Sequence, residues 1–226
     1  VILLAYNGCA SVFVSRWDDK APRDQATGIL TGAEVIDLGP VDADAAVLFV
    51  HGFIGGSNNF GELPRRLADA GYRVHALRLP GHGTRPGDFA MTKTAELPLA
   101  VLSELRALRK DYKQVFIVAH SMGGALSCLA STTEKVDGLV LGAPYFGVTY
   151  HWYYGLPPEV WSAITTPFIW WQYKGDFFVC VKRREVAKDI LTYRWVPAQG
   201  SRSLVKIGKL AKDPEILAEV KCPVLL

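Results

Sequence analysis

Ser121 sits in the middle of Val115-Phe116-Ile117-Val118-Ala119-His120-Ser121-Met122-Gly123-Gly124-Ala125, where a short apolar run gives way at once to small residues. The pattern predicts a strand that turns directly into a helix. Such a turn forces its apex residue into a strained backbone conformation and tolerates only small neighbours two positions to either side. Ala119 and Gly123 occupy those positions. The apex hydroxyl is thereby held at a helix N-terminus, where N–H groups and the helix dipole favour developing negative charge, the requirement for attack on an acyl carbonyl. A serine that merely capped a helix would need no small residues on both sides.

Acyl chemistry also needs donors for the oxyanion, and a second turn is placed to supply them. His51-Gly52-Phe53 follows the apolar run Ala45 to Val50. A turn at the end of a core strand allows the Phe53 N–H to converge with the Met122 N–H on one point. Both donors are main-chain groups, so the Phe53 and Met122 side chains are free to line an apolar acyl pocket. His51, Gly52, Ala119, His120 and Gly123 are then residues that shape and support the two turns.

The elements that must hold these turns are legible as an α/β alternation from about Glu34 onward. Ala45 to Val50 reads as a buried strand, Ser57 as the N-cap of a helix through Phe60, Leu63, Leu67 and Ala70, and Gly71 as its end. Tyr72 to Leu77 is a strand leading into the loop Leu79-Pro80-Gly81-His82-Gly83. Ala95 to Leu108 repeats apolar residues at helical period, Val115 to Ala119 is a strand, Met122 to Ala130 a small-residue helix, and Val136 to Leu141 another strand. The expected fold is a mostly parallel sheet with helices on both faces.

After Pro144 the alternation stops. Tyr145 to Phe178 holds about half of the chain's aromatic residues, broken by Gly155, Pro157, Pro158 and Pro167, and reads as an insertion lying over the sheet. Its rings either pack the insertion itself or face a substrate. Helical patterning returns weakly around Leu204, Ile207 and Leu210, and Cys222 to Leu226 reads as a buried strand just starting. The expected division is an N-terminal segment 1–24, a core 25–144, a cap 145–215, and the start of a further core strand at 216–226.

Composition narrows the function classes. A chain of 226 residues, 50% hydrophobic and 21% charged, buries a sizeable core, and its net charge of +3 with one short basic run, Lys182-Arg183-Arg184, carries no nucleic-acid footprint. That run reads as a solvated turn. Four cysteines, Cys9, Cys128, Cys180 and Cys222, lack metal-ligand spacing, and Cys128 and Cys222 sit in apolar runs that read as core. No disulfide framework, metal or cofactor is expected.

The first residues, Val1 to Ala10, are too few to span a bilayer and do not open with Met, so the chain reads as clipped at its front. Val1 to Ser11 resembles the end of a bacterial lipoprotein signal peptide with Cys9 as the lipidated residue, although Tyr6 replaces the usual Leu and no basic n-region precedes it. The other reading is an ordinary apolar segment with an incidental cysteine. The first implies membrane anchoring through Cys9; the second leaves a cytoplasmic protein.

Taken together, His51-Gly52-Phe53, Leu79-Pro80-Gly81-His82-Gly83, Ala119-His120-Ser121-Met122-Gly123-Gly124 and Cys222-Pro223-Val224-Leu225-Leu226 resemble the α/β-hydrolase superfamily, in its carboxylesterase and monoacylglycerol-lipase-like branch. The resemblance runs from about Ala45 to the end and replaces the first glycine of the family's elbow with Ala119. It implies Ser121 as nucleophile, Phe53 and Met122 as oxyanion hole, the aromatic insertion as a cap, and a small ester with an apolar acyl group as substrate. The histidine of the Pro80 to Gly83 loop is structural in that branch.

The family's order of Ser, acid, then His is not completed within this sequence. After Ser121 the remaining histidine is His151, in the insertion. The pattern puts the acid just after the strand starting at Cys222 and the histidine on a later loop, both beyond Leu226. Without a base the serine keeps its ordinary high pKa, so this polypeptide alone is expected to turn over almost nothing. The parent protein reads as a carboxylic ester hydrolase. Acyl transfer or thioester hydrolysis on the same fold, and an inactive binding protein that kept the fold, are the alternatives.

Overall fold

The computed structural model describes residues 1–149, 151–152, 155–175 and 190–226. The basic run at Lys182 and the thiol of Cys180 lie outside the described residues.

The central sheet has six strands in the order β1-β3-β2-β4-β5-β8: β1 (Ile36–Leu38), β2 (Ala45–Val50), β3 (Arg73–Leu77), β4 (Gln114–His120), β5 (Gly138–Gly142) and β8 (Val224–Leu225). All pairings are parallel except β1 with β3, an antiparallel edge that the sequence reading did not name. The order reverses between β2 and β4. The chain leaves β2 toward β3, then crosses back to place β4 on the other side, and in sheets of this kind a crevice opens at that reversal.

Period-two alternation decides which side chains meet which helices. From β2, Ala46, Leu48 and Val50 join Val115, Ile117 and Ala119 of β4 on one face, together with Phe89 of α3 (Pro86–Met91), Leu97, Val101 and Leu105 of α4 (Glu96–Asp111) and most of α5 (Met122–Ser131). From the same strands Val47, Phe49, Phe116 and Val118 point the other way, against Leu67 and Ala68 of α2 (Leu63–Asp69). Because both faces are covered, β2 is buried along its whole length, which is why its sequence is apolar without alternation. Each Leu, Ile or Val so buried contributes on the order of 1.5–3 kcal/mol.

Some expectations change. The helix expected from Ser57 is divided into a 3₁₀ turn, Ser57–Phe60, and α2, because Gly61 adopts a φ of 55° between them. Ser57 is no N-cap; its hydroxyl donates instead to the Glu34 carbonyl at 2.6 Å. The strand begun at the end of the sequence is β8, which pairs in parallel with β5 through Val224 and Leu225. Cys128 lies in the core and Cys222 is half-buried beside it, while Cys9 is exposed.

The segment after Pro144 contains α6 (Pro158–Thr165) and a two-stranded antiparallel ribbon, β6 (Trp171–Tyr173) with β7 (Trp195–Pro197), separate from the main sheet. The sequence reading had no ribbon here. α7 (Ala198–Ala211) then returns to the core and buries Ile207 and Ala211. At the front of the chain α1 (Ile2–Lys20) is a continuous helix where the reading had only an apolar segment. It is fastened to the ribbon region, not to the sheet: Tyr6 Oη donates to the Trp171 carbonyl, and the Asn7 carboxamide bonds the backbone of Phe168 and Trp170.

Candidate active site

Register brings the two predicted turns level. Val50 pairs with Ala119 across β2 and β4, so His51-Gly52 leaves its strand beside His120-Ser121. The approach is close enough that a Cβ on Gly52 would lie 3.0 Å from the Ser121 Cβ and 3.1 Å from the His120 Nδ1. A side chain there would have to push these neighbours back, so the constraint on Gly52 is contact, not φ.

Ser121 stands between the last residue of β4 and the first of α5 with φ 53° and ψ −119°. A non-glycine residue at positive φ is strained by its own Cβ. The strain is held by bonds on both sides of the peptide: the Ser121 N–H donates to the Gly142 carbonyl at 3.0 Å, and the Ser121 carbonyl accepts from Gly124 and Tyr145 N–H groups at 3.0 and 2.9 Å. Gly123 packs so tightly that any Cβ would strike the carbonyl oxygens of Val50 and His51. Ala119, the other small neighbour, is buried in β4. Among the described residues no hydrogen bond engages the Ser121 hydroxyl, which is half-buried.

Among the described residues three non-glycine residues have positive φ, namely Ile54 at 52°, Ser121 at 53° and Ala143 at 45°. They follow β2, β4 and β5, three adjacent strands, at the same end of the sheet. Strained backbone is thereby gathered at one end of the sheet. The sequence offered a signal for Ser121 alone; nothing in a branched isoleucine or an alanine announces left-handed backbone.

The Phe53 turn is shaped from behind by His51. Its Nδ1–H donates to the Gly52 carbonyl at 2.9 Å, and its Nε2 accepts from the Leu79 N–H at 3.1 Å. Those two partners select the neutral Nδ1–H tautomer. Gly55 N–H also donates to the Gly52 carbonyl, closing a tight turn over Phe53 and Ile54. With the Gly52 carbonyl so held, the peptide that carries the Phe53 N–H is fixed in orientation. Among the described residues neither the Phe53 N–H nor the Met122 N–H is taken by a hydrogen bond.

Burial, with the nearby charges of Arg78 and His120 adding to it, lowers the pKa of His51 to about 4. Burial, then the neighbouring His51 and Arg78, lowers that of His82 to about 3. The His82 Nδ1–H donates to the Pro80 carbonyl at 2.9 Å and its ring lies 4.2 Å from that of Phe89. Both imidazoles are therefore uncharged parts of the core behind the turn. His75 is on β3, bonded to Asp37 on β1 and paired with Glu104 on α4. His120 is exposed beside Ser121, and His151 is exposed in the inserted region. Among the described residues no group of three or more His, Cys, Asp or Glu side chains is arranged to hold a metal ion.

Comparison with known proteins agrees with this geometry. The model of a family described as the alpha/beta hydrolase family matches residues 47–226. A thermostable monoacylglycerol lipase of Bacillus sp. (strain H-257) is 35% identical over 115 residues, covering 50% of this chain and 44% of that protein. A carboxylesterase of Bacillus subtilis (strain 168) is 31% identical over 98 residues, covering 43% of this chain and 40% of its own. This chain thus aligns with less than half the length of these curated relatives. Among solved structures, one reported for the metagenome-derived lipolytic enzymes LipS and LipT is 26% identical with a TM-score of 0.73, covering 87% of this chain and 75% of that one. The Paleococcus ferrophilus monoacylglycerol lipase shares the fold at 21% identity, with a TM-score of 0.65 over 84% of this chain and 75% of its own.

Proposed function

Because the chain belongs to the alpha/beta hydrolase family, we propose that it is the Ser121-bearing part of a carboxylic ester hydrolase working through an acyl-enzyme. The observation that carries the reading is Ser121 held at a φ of 53° between β4 and α5, its hydroxyl without a hydrogen bond among the described residues. Backbone strain of this kind concentrates at functional sites, and two of the curated relatives are named as a monoacylglycerol lipase and a carboxylesterase.

In this reading the Ser121 oxygen attacks the ester carbonyl while a base takes its proton. The carbonyl oxygen becomes an alkoxide, which the Phe53 and Met122 N–H groups receive at the open end of α5. Collapse of that intermediate expels the alcohol, and water then releases the acid from Ser121. His51 acts by positioning: it holds the Gly52 carbonyl and so sets the Phe53 N–H. The base and its acid partner are proposed to follow Leu226, where the family's order of serine, acid and histidine would put them.

The segment 145–215 serves in this reading as a cap that receives an apolar acyl group. Support comes from its exposed rings, including Trp152, Trp161 and Trp170. The direct experiment is labelling of the full-length protein with a fluorophosphonate probe. One adduct at Ser121 that is lost in Ser121→Ala is expected, and a protein that takes up no probe overturns the assignment.

A further inference from the structure

We propose that Gly200 and Gly208 of α7 are positioning residues for the reaction, each seating an aromatic ring that fixes one half of the site. The proposal rests on the ester reading of Ser121. Both glycines lie on the buried face of the helix. Glycine in a helix interior weakens the helix relative to alanine, so two of them within the 14 residues of α7 ask for a reason. The rings they meet supply it.

Gly208 faces Tyr145. A Cβ on Gly208 would lie 2.6 Å from the Tyr145 Cε1 and 2.9 Å from its Cδ1, so the ring rests directly on the helix backbone. The N–H of the same tyrosine donates to the Ser121 carbonyl at 2.9 Å, one of the bonds that hold the strained peptide. Between these two attachments there is little slack, because Tyr145 follows Ala143, itself at a φ of 45°, and Pro144, which packs on Gly124 of α5 so closely that a Cβ there would lie 2.8 Å from the Pro144 Cβ. A ring pushed off α7 therefore pulls on the Ser121 peptide.

Gly200 faces Phe89. A Cβ on Gly200 would fall 2.9 Å from the Phe89 Cδ1 and closer still to its Cε1. Phe89 is fully buried, its ring 4.2 Å from that of His82 and 5.6 Å, edge to face, from that of Phe53. The ring has no open space to retreat into, so a push from Gly200 reaches the turn that carries the Phe53 N–H.

α7 is in turn tied to the region after Pro144. The Ala198 N–H donates to the Trp170 carbonyl at 2.9 Å, and the Arg202 guanidinium donates to the hydroxyl and carbonyl of Thr166 at the end of α6. Between the two glycines the Ser203 hydroxyl bonds that of Thr94 at 2.8 Å, which fixes the helix against the segment ahead of α4. One helix thus joins that region to the serine's peptide and to the Phe53 turn.

The test uses the full-length protein and the rate at which a fluorophosphonate labels Ser121, with kcat and KM for an ester measured beside it. Gly208→Ala should slow labelling about tenfold and lower kcat with little change in KM, since a displaced nucleophile leaves the substrate's own contacts in place. Tyr145→Leu should slow it likewise, and the pair Gly208→Ala, Tyr145→Leu should return to within about threefold of the parent, because the methyl group takes space that the ring gave up. Tyr145→Phe keeps the ring and should label as the parent does. Gly200→Ala and Phe89→Leu should show the same two losses and one recovery. Ile207→Val, buried on α7 but part of neither seat, should lower the melting temperature slightly and leave labelling unchanged.

The proposal is overturned if both glycine variants label at the parent's rate, if the paired variants do not recover, or if Ile207→Val loses labelling as they do. Where Gly208→Ala does not fold, Tyr145→Leu against Tyr145→Phe decides, and equal rates for these two overturn it. A parent that takes up no probe removes the ester reading and this proposal with it, whereas a parent that labels while its glycine variants are unaffected removes this proposal alone.

Discussion

α5 and α6 are both rich in apolar residues, yet they put them to opposite use. α5 buries Met122, Gly123, Gly124, Ala125, Leu126, Ser127, Cys128 and Ala130, sandwiched between the sheet, α4 and α7, and its small residues let the backbones approach. α6 leaves Val160, Trp161 and Ile164 substantially in water. Apolar surface that a fold buries is accounted for by stability, at about 25 cal/mol per Å². Surface that it leaves exposed in quantity points to contact with something else. The strand end carrying Ser121 is thus enclosed by packing, whereas α6 keeps apolar surface open to contact.

The sharpest way to break this contrast is at the elbow. Gly123→Ala drives a methyl group into two carbonyl oxygens that belong to β2 and its turn, neither of which can retreat without opening the sheet. A loss of about 3 kcal/mol or more is expected, together with loss of probe labelling at Ser121. Thermal melts and labelling measured on the same sample decide it; a variant as stable and reactive as its parent would show that the elbow is not held as tightly as its contacts imply.

Next in size is a dependence on pH set behind the Phe53 turn. His51 and His82 have folded pKa values of about 4 and about 3, below the ordinary 6.5, so between those values and 6.5 the unfolded chain binds the extra protons. Stability is therefore full above about pH 6.5 and falls as the pH drops toward 4, by about 3 kcal/mol for His51 and at least that for His82. Carboxylates titrate mostly below this window. Denaturant midpoints taken from pH 7 to 4.5 should slope accordingly, and the slope should flatten in His51→Gln, which should also slow labelling of Ser121 at pH 7. An unchanged slope in that variant would remove His51 from this account.

The smallest effect belongs to the other region. Trp161→Ala and Ile164→Ala should each cost less than about 2 kcal/mol, because about half of each side chain is already in water. If the ester reading is right, turnover of long-chain esters by the full-length enzyme should fall more than turnover of short ones. Equal losses for all chain lengths, or a large drop in melting temperature, would place these residues in the core after all.

Much of the sheet was legible because parallel strands buried on both faces read as continuous apolar runs. Ala45 to Val50 and Val115 to Ala119 differ from β2 and β4 by two residues at most. The edge was harder. Ile36–Leu38 is three residues long and pairs backwards with β3, and so short a strand carries no periodicity of its own. Gly61 broke a helix that apolar spacing alone carried through, since spacing does not report which glycine takes a positive φ.

By itself the sequence determined where a strand must turn at once into a helix, because small residues around Ser121 are a local steric requirement that composition records directly. It likewise marked Gly52 as part of a turn after a core strand. Tertiary structure alone decided that the His51 ring would span from the Gly52 carbonyl to the Leu79 N–H, 28 residues away, and that Ala143 and Ile54 would share the strain of Ser121. It alone decided too that α1 would latch through Asn7 to Trp170, 163 residues distant. The physical reason is common to all of these: a side chain's type states which bonds it can make, and only the packed chain brings the partner within reach.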